Sequence, residues 1–157
     1  MSRPVVVAAC GPLIALAGCA QLDLLTAVFA AVHVPQLVLH ETTAARSRLG
    51  AADIYSFVTS QATVHPSLND AIFNAAVSHL DEGEAQALSL AHALCCGVLM
   101  DERRGRQTAM RQGIALFGVL GVLLQGKRIG KIESIAPVLD KMQANSYRVS
   151  QSLSMRL

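Results

Sequence analysis

Only 11 of the 157 residues are acidic, and four of them stand where chemistry would need them. Asp101 and Glu102 close the apolar run Val98-Leu99-Met100, and Glu84 lies in the first turn of the helix expected before that run. Glu41 ends an earlier helical stretch. Carboxylates spread along a chain in this way can converge at one sheet edge, where they repel one another unless a hard cation neutralises them. Two Mg2+ or Mn2+ ions about 3.5–4 Å apart would then activate water and stabilise a leaving oxygen in phosphodiester cleavage. Each acid also has a local explanation. Glu84 suits the positive end of a helix dipole, Asp101 suits an N-cap, and Glu41 suits a solvated helix end. On spacing alone the local roles are favoured.

The elements that would position these residues alternate between strand and helix. Val5-Val6-Val7 is a β-branched run of the kind buried on both faces of a parallel sheet. Pro12 then opens a helix to residue 18, a second helix spans 22–31, and residues 32–34 make a strand. Pro35 opens a helix through Glu41. Residues 46–50 are expected to be helical and 54–58 to be a strand. Pro66, Asn69 and Asp70 mark a turn, and Ile72, Phe73, Ala76 and Leu80 a helix. Asp81 caps a helix over 82–94, with Glu84 at capping-box spacing. A strand over 98–100, a helix over 102–112, a short strand over 114–116 and helices over 117–128, 135–144 and 150–155 complete the chain. Such alternation predicts one α/β domain over residues 1–157 with a mainly parallel sheet, and its ligands belong beyond the carboxyl ends of the strands.

Composition narrows the classes. Hydrophobic residues are 52% and charged residues 15%, which excludes a disordered chain. A net charge of +2 is too mild to mark a nucleic-acid binder. Aromatic residues are 4% and Trp is absent, which argues against stacking platforms for bases. The mean hydropathy of +0.42 raises a membrane question, and Leu16-Ala17-Gly18-Cys19 matches a bacterial lipobox. Gly11 and Pro12 interrupt that apolar run, however, and Leu22, Leu25 and Phe29 continue it as a folded-domain pattern. We therefore expect no membrane anchor. Cys10, Cys19, Cys95 and Cys96 form no CxxC and are read as small buried residues in a reducing cytoplasm. The five histidines show no zinc-ligand spacing.

Several segments, in order, resemble the PIN-domain superfamily, and within it a branch of small proteins related to VapC-type toxins. The resemblance is carried by residues 5–16, by Leu22-Asp23-Leu24-Leu25, and by Val34-Pro35 through Glu41. It continues in Leu80-Asp81-Glu82-Gly83-Glu84-Ala85, in Leu99 through Arg106, and in Gly118 through Leu124 with Lys127. It implies a three-layer α/β/α sandwich and a divalent-metal ribonuclease, the toxin of a toxin–antitoxin pair. Glu41, Glu84 and Asp101 would hold Mg2+ or Mn2+, with Glu102 assisting. The family's first acid falls on Ala9, and a methyl group cannot ligate a metal. Either the chain is naturally degenerate, or Ala9 is an introduced Asp-to-Ala change. Both leave cleavage weakened or lost. The alternative is a silent module that binds RNA or an antitoxin.

Basic residues follow the acids. Residues 81–157 carry ten Lys/Arg against seven acids, whereas residues 1–80 carry three against four. Arg103, Arg104 and Arg106 either hold RNA phosphates at the rim of the site or form a solvated helix face with pairs such as Glu102–Arg106. The expected partners are RNA, a small antitoxin and a second copy of the chain.

Overall fold

The computed structural model describes residues 3–45 and 47–145. Strand β1 (Val5–Ala8) is central, and Val6, Val7 and Ala8 are wholly buried, as a β-branched run without polar alternation requires. It pairs in parallel with β2 (Ala31–Pro35) on one side and β4 (Gly97–Leu99) on the other. Beyond β2 lies β3 (Thr63–His65), and beyond β4 lies β5 (Leu116–Phe117), giving the all-parallel order β3-β2-β1-β4-β5.

Helices cover both faces. On one face α1 (Cys10–Gly18), α2 (Leu24–Val28), α4 (Ala51–Gln61), α8 (Val119–Arg128) and α9 (Ala136–Ala144) contribute to one core. Their Leu13, Leu16, Leu25, Ile54, Leu123 and Met142 share it with Val6, Ala8, Val32 and Val34. Helix α3 (Gln36–Thr43) follows β2 and adds Val38 to the same core. On the other face α5 (Ala71–Ala76), α6 (Glu82–Ala93) and α7 (Glu102–Arg111) place Ala76, Leu88, Ala91 and Ala109 beside Val7, Val98 and Met100. This is the expected α/β/α sandwich. The chain lays β1, β2 and β3 outward in one direction, and β4 then returns to the other side of β1. The reversal between β1 and β4 opens a crevice at their carboxyl ends.

Helix α6 is the buried centre of its layer, with every residue from Gly83 to Ala91 inside. Its small Ala85, Ala87 and Ala91 let neighbouring backbones approach. A helix buried all round must find partners for its polar side chains, and it does. Gln86 brackets Leu68, accepting from its N–H and donating to its carbonyl, both at 2.8 Å. Ser89 donates to Asp70 at 2.8 Å. The expected capping box closes the helix start, with Glu84 N–H donating to Asp81 Oδ1 at 2.8 Å and Asp81 N–H to Glu84 Oε1 at 3.2 Å.

Several expected elements differ. Residues 54–58 are not a strand but part of α4, because Ala51, Ile54, Phe57 and Val58 recur at helical spacing and all are buried. Residues 47–50 form turns and bends ending at Gly50 with φ of 85°, not a helix, and Arg46 lies outside the described residues. Strand β3 was not expected, being three residues long on the sheet edge. The helix over 22–31 shortens to α2 because Phe29 is extended. The helix expected over 150–155 lies outside the described residues. Cys19 is not an exposed lipobox cysteine: it is buried, with Sγ 3.4 Å from the Ala15 carbonyl. Among the described residues no helix is long and apolar enough to cross a membrane.

At the sheet edge, His33 on β2 and His65 on β3 bring Nδ1 and Nε2 within 2.8 Å. Burial, and then the neighbouring imidazole, hold His33 below the ordinary histidine range. The folded state therefore binds fewer protons than the unfolded chain as pH falls, and stability drops with acidification through that range. We expect the loss of unfolding free energy between pH 7 and pH 5 to be smaller in His33→Gln than in the parent chain, as measured by urea denaturation.

Candidate acidic site at the sheet reversal

The Ala9 N–H donates to the Leu99 carbonyl at 2.9 Å and ties the ends of β1 and β4 together. Ala9 is the extended N-cap of α1 and is 1% exposed, and no side chain caps that helix. A methyl group here offers no lone pair to the helix or to a cation. Cys10 comes next. Its Sγ lies 3.9 Å from Glu41 Oε2, which α3 delivers from the end of its helical run. Gly83 makes this approach possible. A Cβ there would stand 3.2 Å from Glu41 Oε1 and 3.5 Å from Cys10 Sγ, so the bare first turn of α6 forms one wall.

Burial, reinforced by the charges of Glu41, Asp81 and Glu84, pushes the Cys10 thiol up to about 12. It stays protonated at neutral pH and is not a nucleophile. Burial and the charges of Asp81 and Glu82 likewise hold Glu41 above the usual carboxylate range. Glu41 thus touches Cys10, beside Ala9, and the charges of Asp81 and Glu84 reach the same thiol.

Glu84 has a cation of its own. Arg104 Nε, from α7, donates to Oε1 at 3.0 Å and Oε2 at 2.9 Å. Burial still outweighs this partner and holds the Glu84 carboxyl above its ordinary range. The Glu84 side chain is 11% exposed and that of Arg104 52%, so the guanidinium stands on the solvent side of the carboxylate. Glu84 in turn raises the Arg104 pKa.

The remaining expected residues have local partners. Asp101 is the N-cap of α7 and accepts the Arg103 N–H at 2.9 Å. Glu102 accepts from Arg106 at 3.2 Å, the i,i+4 pair anticipated from spacing, and its carboxylate packs against Gly118 at the start of α8. Of the three arginines, Arg104 and Arg106 are therefore in ion pairs and Arg103 is exposed. Among the described residues no three His, Cys, Asp or Glu side chains are grouped to hold an ion. Hard divalent ions need several converging oxygens. The residues present do not supply them: position 9 is a methyl, Glu84 is held by Arg104 and the Asp81 N–H, and Asp101 is engaged in its cap.

Sequence reasoning overlooked two members of this pocket. Asp81 was read only as a cap, although Asp81-Glu82-Gly83-Glu84 already concentrates charge around a glycine. Cys10 was grouped with buried cysteines, yet it directly follows the residue that closes β1. Cys95 corrects the same grouping, being exposed at φ of 54° past the end of α6.

A PIN-domain family, DUF3368, matches residues 5–157 of the chain. Among solved structures, a PilT N-terminus domain protein from the hyperthermophilic archaeon Sulfolobus solfataricus P2 is similar, with a TM-score of 0.55 at 13% identity. The match covers 77% of this chain and 92% of that one, and at this identity the likeness is one of fold. No curated protein matches the chain.

Removing the Arg104 charge would leave Glu84 buried without its cation. Arg104→Gln is expected to cost about 1–2 kcal/mol at pH 7, a value reduced because Arg104 is half exposed. The loss should shrink as pH falls through the raised Glu84 pKa, since the protonated carboxyl needs no counter-charge. Urea denaturation across pH 4–8 measures both effects.

Proposed function

The chain belongs to the PIN-domain family, whose members are generally divalent-metal-dependent nucleases, and from that premise we propose that it is an endoribonuclease scaffold whose cleavage is silenced or weakened at Ala9. The observation that carries this reading is the place of Ala9. It closes β1 at the sheet reversal, bonded to Leu99 and beside the pocket of Glu41, Asp81 and Glu84. A carboxylate at position 9 would add the missing hard donor and a cap for α1. Glu84 meanwhile takes Arg104 as its counter-charge.

On this reading Glu41, Glu84 and Asp101 are the carboxylates of the ancestral site, with Glu102 at its margin. Arg103 and neighbouring basic residues meet the RNA backbone by charge. The biological setting is that of a toxin held by a small cytoplasmic antitoxin, with Mg2+ or Mn2+ as the ion of the competent form and a homodimer as the assembly. The alternative, a silent module that binds RNA or an antitoxin without cutting, is supported by the Glu84–Arg104 pair, which gives Glu84 a counter-charge within the chain.

Restoring the acid separates the two readings. Ala9→Asp should cleave single-stranded RNA in Mg2+ or Mn2+ at least about tenfold faster than the parent chain. EDTA should abolish the gain, and the neutral isostere Ala9→Asn should show none. An Ala9→Asp protein that folds, yet cuts no RNA with either ion, would leave the binding module as the function.

A further inference from the structure

Helix α7 has an outer face that the acidic site does not use. Gly105, Thr108 and Ala109 form its buried side. Arg103, Gln107 and Met110, at helical spacing, make one exposed ridge, with Arg106 and Arg111 on its two flanks. Residues 101–111 set four arginines against two acids, Asp101 and Glu102. Arg104 turns to Glu84 and Arg106 to Glu102, whereas Arg103 and Arg111 form no ion pair among the described residues. Helix stability does not account for this face. Arg103 lies in the first turn, where the helix dipole opposes a cation, and it stands three residues from Arg106, a like charge. Met110 is 74% exposed, the most exposed large hydrophobic side chain among the described residues. Arginine and methionine together are the composition of a contact surface.

Position and charge give the face its occupant. Helix α7 starts just past β4, at the sheet reversal, so the ridge begins beside the acidic site and leads away from it. From Arg103 to Arg111 it advances about 12 Å, enough to meet more than one phosphate of a strand. We propose that the outer face of α7 is the path along which single-stranded RNA leaves the site, with Arg103 and Arg111 on its phosphates and Met110 against a base between them. The path rests on the reading of the chain as an RNA-cleaving scaffold. It adds the direction of the strand and two residues, Met110 and Arg111, that hold it beyond the rim. A polarizable thioether packs against any base, so the path tolerates any sequence. It requires an RNA that stays single-stranded for several nucleotides on the α7 side of the site.

Fluorescence anisotropy of the full chain with a labelled single-stranded RNA, in EDTA so that nothing is cut, tests the path. The double variant Arg103→Gln, Arg111→Gln should bind at least about fivefold more weakly than the parent chain and lower the salt slope of log K by about 1. Met110→Ala should bind about threefold more weakly with the slope unchanged. Arg128→Gln, at an exposed arginine of α8 over the other face of the sheet, should bind like the parent. Urea denaturation should find Arg103→Gln no less stable than the parent, since the dipole opposes that charge. Should the double variant fail to fold by circular dichroism, the single variants decide, each expected to bind at least about twofold more weakly. Unchanged RNA binding in the arginine variants overturns the path and leaves the ribonuclease reading standing, whereas a folded parent chain that binds no RNA overturns both. An Arg103→Gln protein that loses stability in step with binding makes that residue structural and overturns the path. Polyglutamate that binds the parent as tightly as RNA, with an equal loss in the double variant, assigns the face to an acidic peptide and overturns it too.

Discussion

Burying a carboxylate in the first turn of a helix that is itself buried sets the terms for the rest of this molecule. Glu84 cannot remain ionised in that position without donors and a counter-charge. The Asp81 N–H and the Arg104 guanidinium supply them from opposite directions, one from the helix start and one from α7. Helix α6 must therefore enter the fold at a fixed depth and rotation, and α7 must lie across its end. The Gln86 bracket on Leu68 and the Ser89 bond to Asp70 extend the same logic along the helix and hold α5 and its preceding loop to it. Polar satisfaction, more than apolar area alone, gives this layer one arrangement.

The reversal of strand order brings the consequences of that burial to one place. Ala9, Cys10 and Asp101 all follow the carboxyl ends of the two strands that meet there, and Glu41 arrives across Gly83. Burial, with the negative charge gathered there, pushes the Cys10 thiol up to about 12. Such a pocket calls for positive charge. The guanidinium of Arg104 provides it for Glu84. Position 9, next to Cys10, carries a methyl and adds no charge of either sign.

Much of this was legible in the sequence because it is local. The valine run, the capping box at Asp81 and Glu84, and the Glu102–Arg106 pair each depend on residues within a turn of one another. The parallel sheet followed from alternation of such elements, and the three-layer sandwich from the family resemblance. What the sequence hid was either short or distant. Ile54, Tyr55, Phe57 and Val58 look like a strand through a five-residue window, and only with Ala51 included does their helical period emerge. Thr63-Val64-His65 is too short to announce itself, and it exists because β2 offers an edge. Arg104 binds Glu84 across 20 residues of chain, and no local rule singles it out from Arg103 or Arg106. The high mean hydropathy had a similar resolution: it reflects strands covered on both faces and an alanine-rich helix with no exposed side.

The central position of β1 also bears on how the protein comes into being. A chain made from its N-terminus completes β1, β2 and β3 early, but the strand that closes the other side of β1 begins ~90 residues after it. Until then one flank of the most apolar strand is an open edge, and Ala9 has no Leu99 carbonyl to hold it. Non-local closure of this kind is slow and leaves such edges open to wrong partners. The acids around Cys10 likewise cannot gather until α6 and α7 have been made, since Arg104 follows Glu84 by 20 residues.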